Sequence, residues 1–249
     1  MNAPWLIGKR QSAPRLRLFC FSYAGGSASA YASWQAALGP QVEVCAIQLP
    51  GRDMRMAEAP CTSLDQLLPQ LLRAVQGVDG MPFAFFGHSL GALVAFELTR
   101  LLRRHGMPLP QRLIVSGACA PRCRDTTRQL HSLPDAAFID ALRAYEGSPA
   151  PVLDNADLME LLLPMIRADF QIGERYLYRP SLPLPLPITV FSGTRDGHVP
   201  QQGARSWEQE SSVSCTVQLF EGGHFFIHTA QAAVLDCLAA TLQESQILA

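Results

Sequence analysis

The amino-acid sequence predicts one α/β domain, residues 1–249, in which a mostly parallel sheet is flanked by helices. Its 249 residues are 48% apolar and 16% charged, which is ordinary for a globular chain with a large core. Short apolar runs alternate with helical patterns, as in a parallel sheet covered on both faces. Residues 83–86 are apolar without alternation, which is typical of a strand buried on both sides.

The first half of the chain predicts strands and helices in alternation. Apolar runs predict strands, and wider apolar spacing predicts helices. The run at 42–49 ends at the turn-forming pair Pro50-Gly51, and Pro69 should disturb the helix at 64–78. Gly106 and Pro108 should stop the helix at 90–105. The predicted elements are strands 16–21, 42–49, 83–86 and 113–116, and helices 28–38, 64–78 and 90–105.

Residues 121–180 break this alternation. They contain several prolines and no clear strand pattern, and they predict helices at 135–145 and 156–177. We interpret 121–180 as an inserted helical lid, since long insertions between core elements often cover active sites. A proline-rich, extended stretch at 181–187 then returns the chain to the core. The last predicted elements are strands 188–192 and 216–220 and a helix at 231–244.

The strongest chemical signal is Gly87-His88-Ser89-Leu90-Gly91. It matches G-x-S-x-G between a strand and a helix, the arrangement of the nucleophile in the α/β-hydrolase fold. The glycines leave room in a crowded turn, and the helix N-terminus favours negative charge on a reacting oxygen. We therefore predict Ser89 as the nucleophile of a serine hydrolase and the Leu90 N–H as one oxyanion donor. The alternative is a glycine-rich helix cap without catalysis.

A serine nucleophile needs a base, and the base needs an orienting carboxylate. In this fold the chain order is Ser, then Asp or Glu, then His. His224 follows the last predicted strand in a glycine-rich loop and is the predicted base. Asp196 follows the penultimate strand and is the predicted acid, unless it only forms an Asp-Gly turn. The competing side chains are His198 and His228 for the base, and Asp125 and Asp169 for the acid.

The loop after the first strand, residues 22–27, is expected to supply the second oxyanion donor. Its glycines would let the backbone approach a reacting carbonyl, and we predict the N–H of Ala24 as the donor. A phosphate-binding loop is the alternative, but no matching glycine pattern accompanies it. Of the remaining histidines, His88 is expected to shape the serine turn, and His105 and His131 are expected on the surface.

The composition argues against several other classes of protein. A formal net charge of -1 gives no basic surface for nucleic acid. Seven irregularly spaced cysteines predict free thiols in a reducing, cytoplasmic setting, without a zinc set. No apolar run is long enough for a signal peptide or for the roughly 18 residues of a membrane span. The clustered arginines are either a solvated face or a docking surface for an acidic partner: Arg52, Arg55, Arg122, Arg124 and Arg128.

Four segments together resemble the type II thioesterases, the stand-alone editing enzymes of nonribosomal peptide and polyketide synthetases. They are Tyr23-Ala-Gly-Gly-Ser-Ala-Ser29, Leu49-Pro-Gly-Arg52, Gly87-His-Ser-Leu-Gly-Ala-Leu93 and Gly222-Gly-His-Phe-Phe226. The resemblance extends from the first strand to the last helix. Two features depart from the family: Tyr23 stands where a His is usual, and the segment around Asp196 has fewer aspartates.

The resemblance implies a catalytic triad of Ser89, Asp196 and His224, with an oxyanion hole at Ala24 and Leu90. It also implies a lid over an acyl chamber and no metal or diffusible cofactor. The substrate would be tethered by phosphopantetheine to an acyl or peptidyl carrier protein, and a monomer is the default.

Three rival functions share much of this pattern. A small-molecule carboxylesterase would use the same residues, and a non-catalytic binding protein could keep the scaffold alone. A terminal thioesterase domain that releases a finished product is disfavoured, because no carrier domain precedes this one in the sequence.

Overall fold

The computed structural model describes residues 5–76, 80–125, 127–145 and 150–247. Within these ranges seven strands form one sheet in the order β1-β3-β2-β4-β5-β6-β7. β1 is antiparallel to β3, and every other neighbouring pair is parallel. The strands are Leu6–Ile7 (β1), Leu16–Phe21 (β2), Val42–Ile47 (β3), Phe83–His88 (β4), Leu113–Ser116 (β5), Ile188–Gly193 (β6) and Cys215–Phe220 (β7).

The inner strands are buried on both faces, which explains why most of their residues are apolar; the buried charges Arg17 and Glu43 pair with each other. All six residues of β2, β3 and β6 are buried, whereas β7 at the sheet edge is partly exposed. Because the strands from β2 to β7 are parallel, their carboxyl ends lie along one edge of the sheet. The loops that follow β2, β4, β6 and β7 therefore start from the same edge, where open α/β sheets bind ligands.

Helices cover both faces of the sheet. The α-helices are Trp34–Leu38 (α1), Leu64–Gln76 (α2), Leu90–Arg104 (α3), Asp135–Tyr145 (α4), Ala150–Leu153 (α5), Ala156–Glu174 (α6), Gln201–Arg205 (α7), Phe226–Thr229 (α8) and Gln231–Ile247 (α9). Apolar side chains of α2 and α3 share one buried cluster with the sheet, and those of α1 and α9 share another. Short 3₁₀ helices lie at Ala28–Tyr31, Asp53–Arg55, Pro121–Cys123, Leu130–Ser132 and Ser206–Glu210.

The segment between β5 and β6 carries α4, α5 and α6. These helices have a small apolar cluster of their own, which includes Phe138, Leu142 and Leu163. α6 also contacts α3, the helix that begins directly after Ser89. The segment is thus joined to the core next to the predicted nucleophile.

Some predicted element boundaries were wrong for physical reasons. The predicted helix at 28–38 is a 3₁₀ turn and then α1, which lets Tyr31 and Trp34 bury edge to face with ring centroids 4.8 Å apart. The helix predicted to reach residue 177 ends at Glu174, because Tyr176 turns inward and its hydroxyl donates to Glu97 Oε1.

Two further differences concern helix α2 and the edge strand β1. α2 continues through Pro69, which has no N–H to donate to the Asp65 carbonyl. The helix tolerates this missing hydrogen bond because Asp65 and Pro69 both lie on its exposed face. The helix was predicted to reach residue 78, which lies outside the described residues. The edge strand β1 was not predicted, since two residues give no periodic signal.

Candidate active site

Ser89 lies at a strained corner between β4 and α3. Its φ of 54° is in the region that L-residues rarely adopt. The corner is crowded: a Cβ on Gly87 would lie 2.2 Å from the Gly91 carbonyl oxygen, and a Cβ on Gly91 would lie 2.1 Å from the Phe21 oxygen. The Ser89 N–H donates to Ser116 O at 2.8 Å and fixes the turn to the neighbouring strand β5. The glycines of the motif are therefore required by space.

Three distant side chains converge at this corner. His224 Nε2 lies 3.1 Å from Ser89 Oγ, and His224 Nδ1 lies 2.8 Å from Asp196 Oδ2. Asp196 Oδ1 also accepts the His198 N–H at 2.9 Å. Both Asp196 and His224 are buried. The structure thus brings together the three residues that the sequence predicts as nucleophile, base and acid.

The loops that carry Asp196 and His224 are bonded to each other. The Arg195 N–H donates to Gly222 O at 2.8 Å, and the Thr194 hydroxyl donates to Glu221 Oε2 at 3.0 Å. A Cβ on Gly193 would lie 2.5 Å from the Gly223 oxygen, so only glycine permits this approach. The separation between carboxylate and imidazole is therefore fixed by backbone contacts.

Hydrogen bonds and neighbouring charge favour an ionised Asp196 despite its burial. Burial raises the pKa of Asp196, but hydrogen bonds from His224 and from the His198 N–H outweigh it and leave the pKa below its usual value. An ionised carboxylate favours the His224 tautomer with its proton on Nδ1, so that Nε2 can accept the serine proton.

His88 lies beneath the site and is fully buried. Its Nδ1 is 2.9 Å from Ser116 Oγ, and its ring centroid is 5.2 Å from that of His224. Burial, followed by the charges of His224 and His228, lowers the pKa of His88 well below its usual range. A neutral His88 packs the turn, as the sequence predicts.

The loop after β2 is held by a buried ion pair. Arg52 bonds Asp169 twice, through Nη1–Oδ2 and Nη2–Oδ1, both at 2.8 Å. The Gly25 N–H donates to Asp169 Oδ2 at 2.8 Å, and Arg52 Nη1 donates to Gly26 O at 2.8 Å. Asp169 belongs to α6, so this clamp of Arg52, Asp169 and Gly25 joins the inserted segment to the loop that contains Ala24.

Ala24, Leu90, Ser89 and His224 line one cleft. The space free of protein atoms in and at the open mouth of this cleft is about 840 Å³, solvent included. Leu90 is the first residue of α3, so its N–H lies at the positive end of that helix. The residues that carry the two predicted oxyanion donors therefore line the same cleft as Ser89.

The inserted segment reaches this cleft. Tyr145, the last residue of α4, stacks on His198 with ring centroids 4.1 Å apart, and its ring lies 6.3 Å from that of His224. Leu142 and Phe170, from α4 and α6, line the cleft beside it.

The competing side chains occupy other positions. His228 pairs with the Tyr23 hydroxyl at 3.0 Å, and Asp169 pairs with Arg52. Asp125 is exposed and accepts hydrogen bonds from Thr127.

Several surface predictions were wrong. Arg52 and Arg55 are buried, because each is ion-paired, so they form neither a solvated face nor a docking surface. Arg124 lines the cleft. His131 was expected on the surface but is buried, with its Nδ1 2.6 Å from Glu174 Oε2.

The clamp and the position of Arg124 were not predicted. The Pro-Gly-Arg turn at Arg52 was a usable signal, since it lies five residues after the buried strand β3, where an arginine has little access to water. Its partner is 117 residues away, and sequence spacing alone does not reveal such a pair.

The described ranges contain neither a candidate metal site nor a candidate membrane-spanning helix. No group of three His, Cys, Asp or Glu side chains there is arranged to hold a metal ion. None of the helices in these ranges combines the length and apolar content needed to span a bilayer.

Comparison with known proteins identifies the family. Residues 16–242 match the thioesterase domain family. The chain is 39% identical over 240 residues to the gramicidin S biosynthesis protein GrsT of Aneurinibacillus migulanus, covering 96% of this chain and 94% of GrsT.

Two solved structures give the same result. The type II thioesterase BorB from the borrelidin biosynthetic cluster has a TM-score of 0.87 at 36% identity, covering 95% of this chain and 96% of BorB. YbtT, the type II thioesterase of the yersiniabactin NRPS/PKS pathway, has a TM-score of 0.86 at 31% identity, covering 97% of this chain and 99% of YbtT. The predicted α/β-hydrolase fold class is confirmed, and the chain belongs to the thioesterase family as a type II thioesterase.

Proposed function

We propose that this protein is an editing thioesterase that hydrolyses acyl or aminoacyl thioesters from the phosphopantetheine arm of carrier proteins in nonribosomal peptide or polyketide synthesis. The observation that carries the proposal is the hydrogen-bonded chain from Ser89 through His224 to Asp196, which opens on a cleft. The names of the relatives in gramicidin S, borrelidin and yersiniabactin biosynthesis support the pathway class.

The first half of the reaction forms an acyl-enzyme. His224 Nε2 accepts the Ser89 proton as Oγ attacks the thioester carbonyl carbon, and the carbonyl oxygen becomes an oxyanion. The N–H groups of Ala24 and Leu90 stabilise that oxyanion. The C–S bond then breaks, and the pantetheine sulfur leaves as a thiol with the proton from His224.

The second half hydrolyses the acyl-enzyme. Water gives a proton to His224 Nε2 as its oxygen attacks the Ser89 ester, and the oxyanion again lies against Ala24 and Leu90. Collapse of the intermediate returns the proton to Ser89 Oγ and releases a carboxylic acid. Asp196 stays ionised throughout and stabilises the imidazolium. The groups named here complete both steps without a metal or diffusible cofactor.

The inserted segment is proposed to act as the lid, with residues 121–180 covering the acyl chamber. Its contacts support this role: Tyr145 reaches within ring-contact distance of His224, and Leu142 and Phe170 line the cleft. An acyl group bound there would be shielded from water by apolar side chains.

The test is hydrolysis of an acyl group on a carrier protein, compared with hydrolysis of the p-nitrophenyl ester of the same acid. The proposal predicts a higher kcat/KM for the carrier thioester and loss of turnover in Ser89→Ala. A clear preference for the oxygen ester would instead indicate a small-molecule esterase. If neither substrate is turned over and a fluorophosphonate probe leaves Ser89 unlabelled, the chain is a binding protein on a hydrolase scaffold.

A further inference from the structure

Arg124 differs from the other charged side chains of the cleft. In the described part of the chain, each of the others has a protein partner: Asp125 with Thr127, Arg128 with Asp125, Asp169 with Arg52, Glu174 with His131, and His224 with Asp196. For the guanidinium of Arg124, the described residues provide no hydrogen bond and no ion pair. A ligand that enters the cleft can therefore supply the missing partner.

The guanidinium is held inside the cleft by the shape of its surroundings. The Cβ position of Gly173 lies 3.1 Å from Arg124 Nη2 and 3.8 Å from Leu90 Cδ1. Because Gly173 has no side chain, the guanidinium fits between α6 and the start of α3, close to the residue that follows Ser89. Ile166 and Phe170 add apolar surface to the same cleft.

The surroundings leave the charge poorly compensated. Burial lowers the pKa of Arg124 from its usual value, and the opposing effects of Cys119, Tyr176, Tyr145 and Glu174 do not outweigh it. An arginine nevertheless stays protonated in proteins. Arg124 is half-buried. A guanidinium partly removed from water without a hydrogen-bonded anion is unfavourable, so the site favours a ligand that brings an anion.

We propose that Arg124 binds a carboxylate at the distal end of the acyl group, so that this thioesterase prefers carrier-bound acyl groups that end in a carboxylate. The planar guanidinium matches a carboxylate in a two-bond geometry. The carboxylate comes from a dicarboxylic acyl chain or from the side chain of an acidic aminoacyl group. This inference rests on the proposed function, because it specifies the substrate of the same site.

The experiment compares matched acyl pairs on one carrier protein: succinyl with butyryl, glutaryl with valeryl, and aspartyl and glutamyl with their amides. The wild type should have a higher kcat/KM for the charged member of at least one pair. In Arg124→Met, kcat/KM for that member should fall about 10- to 100-fold, the usual range for a hydrogen bond to a charged group, and the neutral member should change less than about twofold. In Arg124→Lys, kcat/KM for the charged member should lie between the wild-type and Arg124→Met values, because lysine keeps the charge but cannot form the two-bond geometry.

The control is Arg143→Met, the same substitution at an exposed arginine of α4 that pairs with Asp154. It should leave both members of each pair unchanged. Thermal unfolding and fluorophosphonate labelling of Ser89 check that each variant is folded with an intact nucleophile.

Two results would overturn the inference. One is a wild type that hydrolyses the neutral member of every pair at least as fast as the charged member. The other is an equal loss on both members in Arg124→Met, which would point to contact with the shared pantetheine arm or to a structural role. If the wild type hydrolyses none of the carrier-bound groups, the proposed function itself fails, so the two failures are distinguishable.

Discussion

Replacing Asp169 by Asn should separate the stability of the fold from the alignment of the site. Asp169 accepts two hydrogen bonds from Arg52 and one from the Gly25 N–H, and its side chain is only 1% exposed. An amide keeps the shape but loses the charge and one acceptor. It therefore leaves the Arg52 guanidinium buried without its anion and lets the loop with Ala24 relax.

The magnitude follows from these contacts. Removing one partner of a buried ion pair typically costs about 3–5 kcal/mol, and for a chain of this length this lowers Tm by roughly 6–20 °C. Losing one oxyanion donor costs about 10²- to 10³-fold in kcat. Because the loop in Asp169→Asn is displaced rather than removed, we expect kcat to fall by about 10- to 100-fold with a smaller change in KM.

The matched control is Glu43→Gln. Glu43 forms an equally buried ion pair with Arg17, near the start of β2 and so at the opposite end of the sheet. It should lower Tm by a similar amount while kcat stays within about twofold, in assays well below both Tm values. If Asp169→Asn also keeps its kcat, the clamp is only structural and the reasoning about Ala24 is wrong.

Three further predictions concern pH, space and thiol access. The lowered pKa of Asp196 means that the unfolded chain binds more protons than the folded one near pH 4, so this carboxylate's contribution to stability is lost as the pH falls through the acid range. Urea unfolding at about pH 5 and about pH 3 should therefore show a smaller stability loss for Asp196→Asn than for the wild type, and equal losses would contradict the shift. Gly91→Ala should destabilise the fold by about 3 kcal/mol or more, because its Cβ would lie 2.1 Å from Phe21 O, while Gly197→Ala, with open space around it, should be nearly neutral by the same assay. Iodoacetamide at about pH 8 should alkylate exposed Cys123 well before Cys45, whose pKa burial raises to about 11; peptide mapping that finds Cys45 modified first would refute this.

The sequence predicted the residues that meet at Ser89 better than the contacts that hold the surrounding loops and cleft in place. Ser89, Asp196 and His224 each follow a strand in a parallel sheet, and parallel strands bring their carboxyl ends to one edge. Chain order alone was therefore enough to place them near one another. The hydrogen bonds that now join them are a consequence of that topology.

The Arg52–Asp169 ion pair and the position of Arg124 depend on contacts between distant parts of the chain, which no local sequence pattern indicates. Arg52 and Asp169 are 117 residues apart, and nothing in the spacing of either indicates the other. Arg124 was interpreted as a surface charge because arginine is usually exposed. Its position in the cleft depends on the absence of a side chain at Gly173, which belongs to α6.

Two helix boundaries were predicted at the wrong residues for a similar reason. A helical pattern at 28–38 is replaced by a 3₁₀ turn because Tyr31 and Trp34 both have to reach the core. Tyr176 ends α6 because its hydroxyl finds Glu97 on α3. In both places tertiary packing outweighs local propensity, which is worth only a few tenths of a kcal/mol per residue.

The central claim is that His224, held by Asp196, activates the Ser89 hydroxyl. The most direct measurement is the rate at which a fluorophosphonate probe labels Ser89, located by peptide mass mapping, in the wild type and in folded His224→Ala. We predict rapid labelling of Ser89 in the wild type and at least a 100-fold slower rate in His224→Ala, in line with the usual size of general-base catalysis. Equal labelling rates, or labelling of the wild type at a residue other than Ser89, would contradict the account.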